Sequence, residues 1–429
     1  MKSDSTRRSA PLRRRATVAV LAAAFVAAPA TGPAAVLGSA SFAYADDSTQ
    51  CTFPAKPFKG TPWPLQRVQL DRLWEESRGK GTTVAVIDTG VDTGNKQLKG
   101  AVDTRNGTNL LKPKKDKYGR TPPVGKPNGT TDTIGHGTKV AGIIAARPDK
   151  AYTGFVGIAP EATILPIKQN DENGSGNTGT MARAINYAVS KHVGVINISQ
   201  DTDKALAPGG ALESAVNRAV NAGIVVVASA GNDGLGGNVK KTYPAAYDGV
   251  LAVASSDRNG ERAPFSQSGE FVGVAAPGVS VVSTVPKGGH CIDNGTSFSA
   301  PYVAGVAALL KAKYPKWTAR NIVTRIEQTA ERTIPGHDTH VGWGVIDPVR
   351  ALTDDSPPAE KPTPSGGVQK AALPDVPPAS VGETAEERNA RLATYAVVGA
   401  SIVVAVIAGT ALVHRDWRRR LNGRRPRQD

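Results

Sequence analysis

From Thr82 onward, short runs of apolar and β-branched residues alternate with longer segments whose apolar positions recur at helical spacing. TVAVID (83–88), ATILPIK (162–168), GVINIS (194–199), IVVVASA (224–230), VLAVAS (250–255) and VSVVSTV (279–285) read as strands. Between them, GTKVAGIIAA (137–146), GTMARAINYAVSK (179–191) and ALESAVNRAVNAG (211–223) read as helices, the last ended by Gly223. Two more helices are expected from about Ser299 to Lys313 and from Thr318 to Ala330. The strand-like runs are apolar throughout rather than alternating, as in a parallel sheet covered on both faces. The pattern predicts an α/β fold, a doubly wound and mostly parallel sheet with helices on both faces. Sites in such sheets form beyond the carboxyl ends of the strands.

Both ends of the chain carry a different pattern. Arg7, Arg8, Arg13, Arg14 and Arg15 precede the apolar run AVLAAAFVAA, and a small-residue region ends in Ala43-Tyr44-Ala45. Charged, apolar and A-x-A regions in that order predict a signal peptide, 1–45, cut after Ala45. A retained anchor is the alternative, weakened by Pro29 and Pro33. Near the other end, residues 392–413 (LATYAVVGASIVVAVIAGTALV) contain no charged side chain and are long enough to cross a bilayer. The seven arginines of 414–429 then read as a stop-transfer block, a basic tail that stays in the cytoplasm. This order predicts a single-pass type I protein in the cell membrane, with the bulk of the chain outside the cytoplasm. Residues 353–390 hold seven prolines and almost no large apolar side chains, so they read as a tether. Its coil reach would be about 35 Å.

Composition adjusts the picture only in part. The chain has 429 residues and a net charge of +15, which invites a nucleic-acid reading. Residues 1–45 and 414–429 each contribute +5, however, leaving +5 for everything between. The excess charge thus belongs to the targeting signals, and binding of the arginine tail to anionic lipid is a better reading than nucleic acid. Two cysteines exclude a disulfide-dense mini-domain or a Cys-rich zinc module. In an oxidising compartment Cys51 and Cys291 suit a disulfide, with two separate thiols as the alternative.

Four polar residues close a strand or open a helix in glycine-rich settings. Asp88 ends the strand-like run within VAVIDTGVD, His136 lies in GHGTKVAG, Asn232 follows VVVASAG, and Ser297 lies in GTSFSAP. A hydroxyl is a weak nucleophile and needs a base within hydrogen-bond reach, and that base needs a carboxylate to fix its tautomer. Asp88, His136 and Ser297 supply those three groups. Asn232 supplies a neutral donor for an oxyanion, beside the backbone N–H of Ser297. Each signal alone has a plainer reading as a turn, loop or capping residue. His192, His290, His337 and His340 lack comparable settings, and neither H-E-x-x-H nor Cys/His metal spacing occurs. No metal or cofactor is implied.

Taken in order, DTGVD, GHGTKVAG, ASAGN and GTSFSAP resemble the motifs of the subtilisin family of serine peptidases over about residues 80–352, closing with GWGVIDPVRAL (342–352). The resemblance implies a subtilisin-like peptidase domain, 81–352. It also implies that Asp88 orients, His136 acts as base then acid, Ser297 attacks and Asn232 stabilises the oxyanion. Many relatives follow the strand with S-L-G-G, whose backbone pairs with substrate. Here the segment reads INISQDTDKALAPGG (196–210), so only backbone pairing near Ser199 is carried over. Calcium sites of some relatives have no counterpart that can be placed.

The whole arrangement is similar to the mycosins, the membrane-anchored subtilases of type VII secretion. The lysine-, proline- and glycine-rich loop 103–133 fits that group in position, or is simply a solvated insertion. The resemblance implies polypeptide substrates among secreted proteins and partners among type VII membrane components. It also implies a second reading, a structural stabiliser of the secretion complex whose proteolysis is dispensable. The N-terminal extension, 46–80, is too short for an independent core. It is expected to lie along the peptidase domain without being removed, stapled by Cys51.

Overall fold

The computed structural model describes residues 51–113, 115, 118–121, 123–171, 176–202, 208–235, 241–365 and 385–422. The expected signal peptide, residues 366–384 of the tether and the last residues of the basic tail lie outside these. The chain divides into two compact units, Met1–Cys51 and Thr52–Asp429, and the fold below is that of the second.

The elements follow in the order α1 (Trp63–Arg67), α2 (Leu70–Glu76), β1 (Thr83–Asp88), β2 (Thr108–Asn109), α3 (His136–Ala145), β3 (Thr163–Lys168), α4 (Thr178–Ser190), β4 (Val195–Ile198) and α5 (Ala211–Asn221). After them come β5 (Val225–Ser229), β6 (Val250–Ser256), β7 (Val272–Pro277), β8 (Val281–Thr284), β9 (His290–Asp293), α6 (Thr296–Lys313), α7 (Ala319–Thr329), α8 (Pro348–Thr353) and α9 (Ala385–Asn422). A seven-stranded sheet has the order β2-β3-β1-β4-β5-β6-β7. Its pairings are all parallel. The order turns at β1, with β3 on one side and β4 on the other, which opens a crevice at the carboxyl end of that strand.

Burial on both faces explains why the strands read as unbroken apolar runs. Val84 and Val86 of β1, Val195 of β4 and Val225 and Val227 of β5 pack in one cluster with α3 and α6. Ala85, Ile87, Ile196, Ile198, Val226 and Ala228 pack in the other with α4 and α5. Because successive side chains of a strand point to opposite faces, the even positions of β1 and the odd positions of β4 and β5 face α3 and α6.

Two expectations need adjusting. VSVVSTV does form a strand, β8, but it pairs antiparallel with β9 in a separate two-stranded sheet. A short connection makes that local pairing accessible, whereas a parallel partner needs a crossover. The stretch read as a tether also starts later than composition suggests. Buried Arg325 of α7 donates to the carbonyls of Asp354 and Ser356. Gln328 accepts the Thr363 N–H at 2.7 Å, and Arg332 donates to the Thr363 carbonyl at 2.7 Å. Residues 354–365 are thereby strapped to the domain by side chains that a composition scan of the segment does not see.

The extension 52–76 packs as part of the same body. Leu65 and Leu73 join the α3/α6 cluster, and the Trp74 indole donates to the Ile158 carbonyl at 3.0 Å. Further upstream, the Ala55 N–H donates to the Gly288 carbonyl at 2.9 Å, and the Phe58 N–H to Nδ1 of His290 at 3.1 Å. Cys51 and Cys291, the two cysteines of the chain, are disulfide-bonded. Helix α9 is long and apolar enough to cross a membrane.

Candidate active site

Asp88 is the last residue of β1 and fully buried. Its even position in the strand points it toward α3, whose first residue is His136. Nδ1 of His136 lies 2.8 Å from Oδ1 and 3.0 Å from Oδ2 of Asp88. The carboxylate also accepts the Thr89 N–H at 2.7 Å. Such closeness depends on Gly137: a Cβ there would stand 2.1 Å from the Gly90 carbonyl oxygen and 3.0 Å from Asp88 Cβ.

With Nδ1–H donated to Asp88, Nε2 of His136 carries the lone pair. The imidazole is about a quarter exposed, 25%. Burial of the ring opposes its charged form, but the Asp88 carboxylate, with its hydrogen bond, and Asp132 outweigh burial and Lys139, so the pKa lies above the ordinary imidazole value. This poises the ring to take up a proton when one is offered.

Ser297 is the second residue of α6. Its backbone N–H therefore sits in the first turn, where no intrahelical acceptor exists, and beside the positive end of the helix dipole. The hydroxyl donates to the Ser199 carbonyl at 3.0 Å, while the Ser199 hydroxyl donates to the Ser297 carbonyl at 2.9 Å. His136, Ser199 and Ser297 line one cleft of about 660 Å³, together with Gln169, Asn170 and Asp201. A hydroxyl has one proton, so Ser297 must leave the Ser199 carbonyl before it can donate to Nε2.

Asn232 follows β5, and its Oδ1 accepts from the backbone N–H and the hydroxyl of Thr296 at 2.9 and 3.0 Å. These bonds fix the amide with its NH₂ group as the remaining donor. Nδ2 lies 3.8 Å from where a Cβ on Gly295 would stand, at the entrance to α6. The four strand-end and helix-start residues, with Ser199, thus converge on one end of the sheet. An attacking hydroxyl, a base held in one tautomer and two N–H donors are the parts of an acyl-transfer site.

One buried carboxylate here was not singled out from the sequence. Asp132 closes the loop that reads as a solvated insertion, yet it is 5% exposed. Oδ1 accepts from the Thr89 hydroxyl at 2.9 Å, the Ile134 N–H at 3.2 Å and the Gly135 N–H at 2.8 Å. Oδ2 accepts from the Thr138 N–H at 2.9 Å and the Thr138 hydroxyl at 2.6 Å. The available signal was an Asp a few residues ahead of a helix start, a capping pattern.

Comparison with known proteins points to one family. The subtilase (peptidase S8) family profile matches residues 79–344. A thermostable alkaline protease of Halalkalibacterium halodurans is 39% identical over 291 residues, covering 68% of this chain and 73% of that protein. Subtilisin E of Bacillus subtilis is 35% identical over 292 residues, 67% of this chain and 70% of its own length. Among solved structures, the MycP3 protease from the type VII (ESX-3) secretion system superposes with a TM-score of 0.61 at 32% identity, covering 70% of this chain and 90% of that one. MycP1 from Mycobacterium smegmatis gives a TM-score of 0.61 at 32% identity, covering 74% and 91%.

Proposed function

The chain belongs to the subtilase family and is a serine endopeptidase, and on that premise we propose that Asp88, His136 and Ser297 are its catalytic triad. The observation that carries this reading is the Asp88–His136 pair, at 2.8 and 3.0 Å, opening on the cleft that Ser297 lines. In the acylation step the Ser297 hydroxyl gives its proton to Nε2 of His136 as its Oγ bonds to the scissile carbonyl carbon. The carbonyl π electrons move onto oxygen, and the oxyanion is met by Nδ2–H of Asn232 and the backbone N–H of Ser297. Collapse of this adduct breaks the C–N bond, and the imidazolium donates its proton to the leaving amine. Water then repeats the sequence against the ester and frees Ser297. Asp88 stays ionised throughout and stabilises the imidazolium. The backbone around Ser199, at the open end of β4, is where an extended substrate pairs.

The proposal extends to place. Helix α9 serves as the membrane anchor, its arginine-rich end stays in the cytoplasm, and the peptidase domain works outside on secreted polypeptides of a type VII system. Likeness to the MycP structures and the length and apolarity of α9 support this. The residues strapping 354–365 and the packed extension favour a domain used intact, with 46–80 retained.

The Ser297→Ala form of the full chain tests both parts. Purified, it is expected to lose hydrolysis of an unfolded polypeptide by about 10⁶-fold with an unchanged melting temperature. Retained hydrolysis overturns the triad. In cells, proteomics of the secreted fraction compares the two forms. Continued export without processing assigns the protease activity to maturation, and lost export assigns it to secretion itself.

A further inference from the structure

Thr89 occupies an unusual position between two buried carboxylates. Its N–H donates to Asp88 at 2.7 Å and its hydroxyl donates to Asp132 at 2.9 Å. The same hydroxyl oxygen accepts the Gly137 N–H at 3.0 Å, from the residue directly after His136. Asp132 in turn gathers Ile134 and Gly135 on one side of His136 and Thr138 on the other. The loop entering α3 and the first turn of that helix are thus tied to the end of β1 through one carboxylate and one hydroxyl.

We propose that Asp132 is a positioning residue for the peptidase reaction: through Thr89 and Thr138 it sets the place of His136 against Asp88, and its charge favours the imidazolium that forms as Ser297 attacks. This deepens the triad reading and rests on it. Asp132 is not among the residues lining the cleft and its hydrogen bonds go to Thr89, Ile134, Gly135 and Thr138, so it acts on His136 through that scaffold and through its field. Both of its oxygens are filled by N–H and O–H donors, none of them a basic side chain, and it sits at the N-terminus of α3, where the helix dipole favours an anion. The charged groups facing His136 are then Asp88 from β1, Asp132 from the loop, Lys139 from α3 and Asp201 across the cleft. Lys139 is itself paired with Asp293, and of the carboxylates it is Asp88 and Asp132 that raise the His136 pKa.

Replacing Asp132 by Asn keeps the shape, but turns an N–H₂ group toward donors and removes the charge. In the full chain in detergent, with active sites counted by a fluorophosphonate, Asp132→Asn is expected to lower kcat by about 10-fold per site with little change in KM. The imidazole loses a group that favours its charged form, so the acidic limb of the kcat/KM profile moves to lower pH, by about half a unit. A purely structural residue would lower the melting temperature and the number of active sites, leaving each remaining site with native kcat and an unmoved limb, and that result overturns the proposal. Thr89→Val is the second variant, needed if Asp132→Asn does not fold. It cuts the link while keeping the charge, and is expected to reduce kcat by about 3- to 10-fold without moving the limb; native kcat overturns the proposal.

A readout that needs no turnover separates this inference from the triad reading. In the Ser297→Ala background, the pH dependence of diethylpyrocarbonate modification of His136, read by peptide mass spectrometry, should shift downward on Asp132→Asn. An unshifted curve counts against Asp132 whatever the fate of Ser297.

Discussion

Around the cleft, the side chains that matter to the chemistry are polar and are held by hydrogen bonds, from the end of β1 to the start of α3 and from the start of α6 to the end of β4. Along residues 52–76 the reverse holds. Leu65 and Leu73 are buried in the main core cluster, and hydrogen bonds such as Trp63 Nε1–H to the Val279 carbonyl, 3.0 Å, only set direction. Directional contacts place atoms to fractions of an ångström but contribute about 1 kcal/mol each. Apolar burial contributes more per side chain and tolerates small displacements. The molecule therefore keeps its chemistry and much of its stability in different residues, and substitutions should separate the two.

The largest effect expected of a single cleft change short of the triad is at Asn232. Asn232→Ala should lower kcat by about 10²–10³-fold, as loss of the asparagine donor does in subtilisin, with KM and thermal stability nearly native. Steady-state kinetics beside calorimetry checks it, and a parallel loss of stability would break the contrast. On the other side, Leu73→Ala should destabilise the domain by about 3 kcal/mol while kcat per titrated site stays native. A denaturant titration of the full chain measures it. A kcat that fell with stability would show the extension reaching the cleft after all.

The smallest effect lies where the extension meets the body at a titratable group. Burial pushes the His290 pKa down from 6.5 to about 4, and the ring is held neutral, with Nδ1 accepting from Phe58 N–H and Nε2–H donating to Gln97 Oε1 at 2.7 Å. A depressed pKa means that the folded state binds fewer protons than the unfolded one. The stabilisation is thus fully present above about pH 6.5 and is lost as pH falls through about 4. Near pH 5.5 the native chain should already have lost about 1 kcal/mol from this source. A His290→Gln form should decline less steeply between about pH 6.5 and 4 in the same melting series. Equal slopes would remove His290 from the account.

How far the fold could be read beforehand follows from the same division. β1, β3, β4, β5 and β6 were legible because burial on both faces leaves an unbroken apolar run. β7, VGVAAP, was not, since glycine, alanine and proline give little strand signal. The two-residue β2 is too short to read at all. Asp88, His136, Asn232 and Ser297 stood out because glycine surrounds groups that other backbone approaches closely. Asp132 did not, because its partners are mostly backbone N–H groups and hydroxyls of residues that look like ordinary loop. The strap over 354–365 depends on Arg325, Gln328 and Arg332, whose purpose appears only once α7 is folded against it.

The alternation of β1 has one more outcome. Val84 and Val86 share the face that Asp88 continues, so the carboxylate reaches His136 by parity. Loss or gain of a single residue inside the strand would swing Asp88 to the side of α4 and α5, away from every partner. A change of two residues would restore the parity, whereas a change in a loop leaves it untouched.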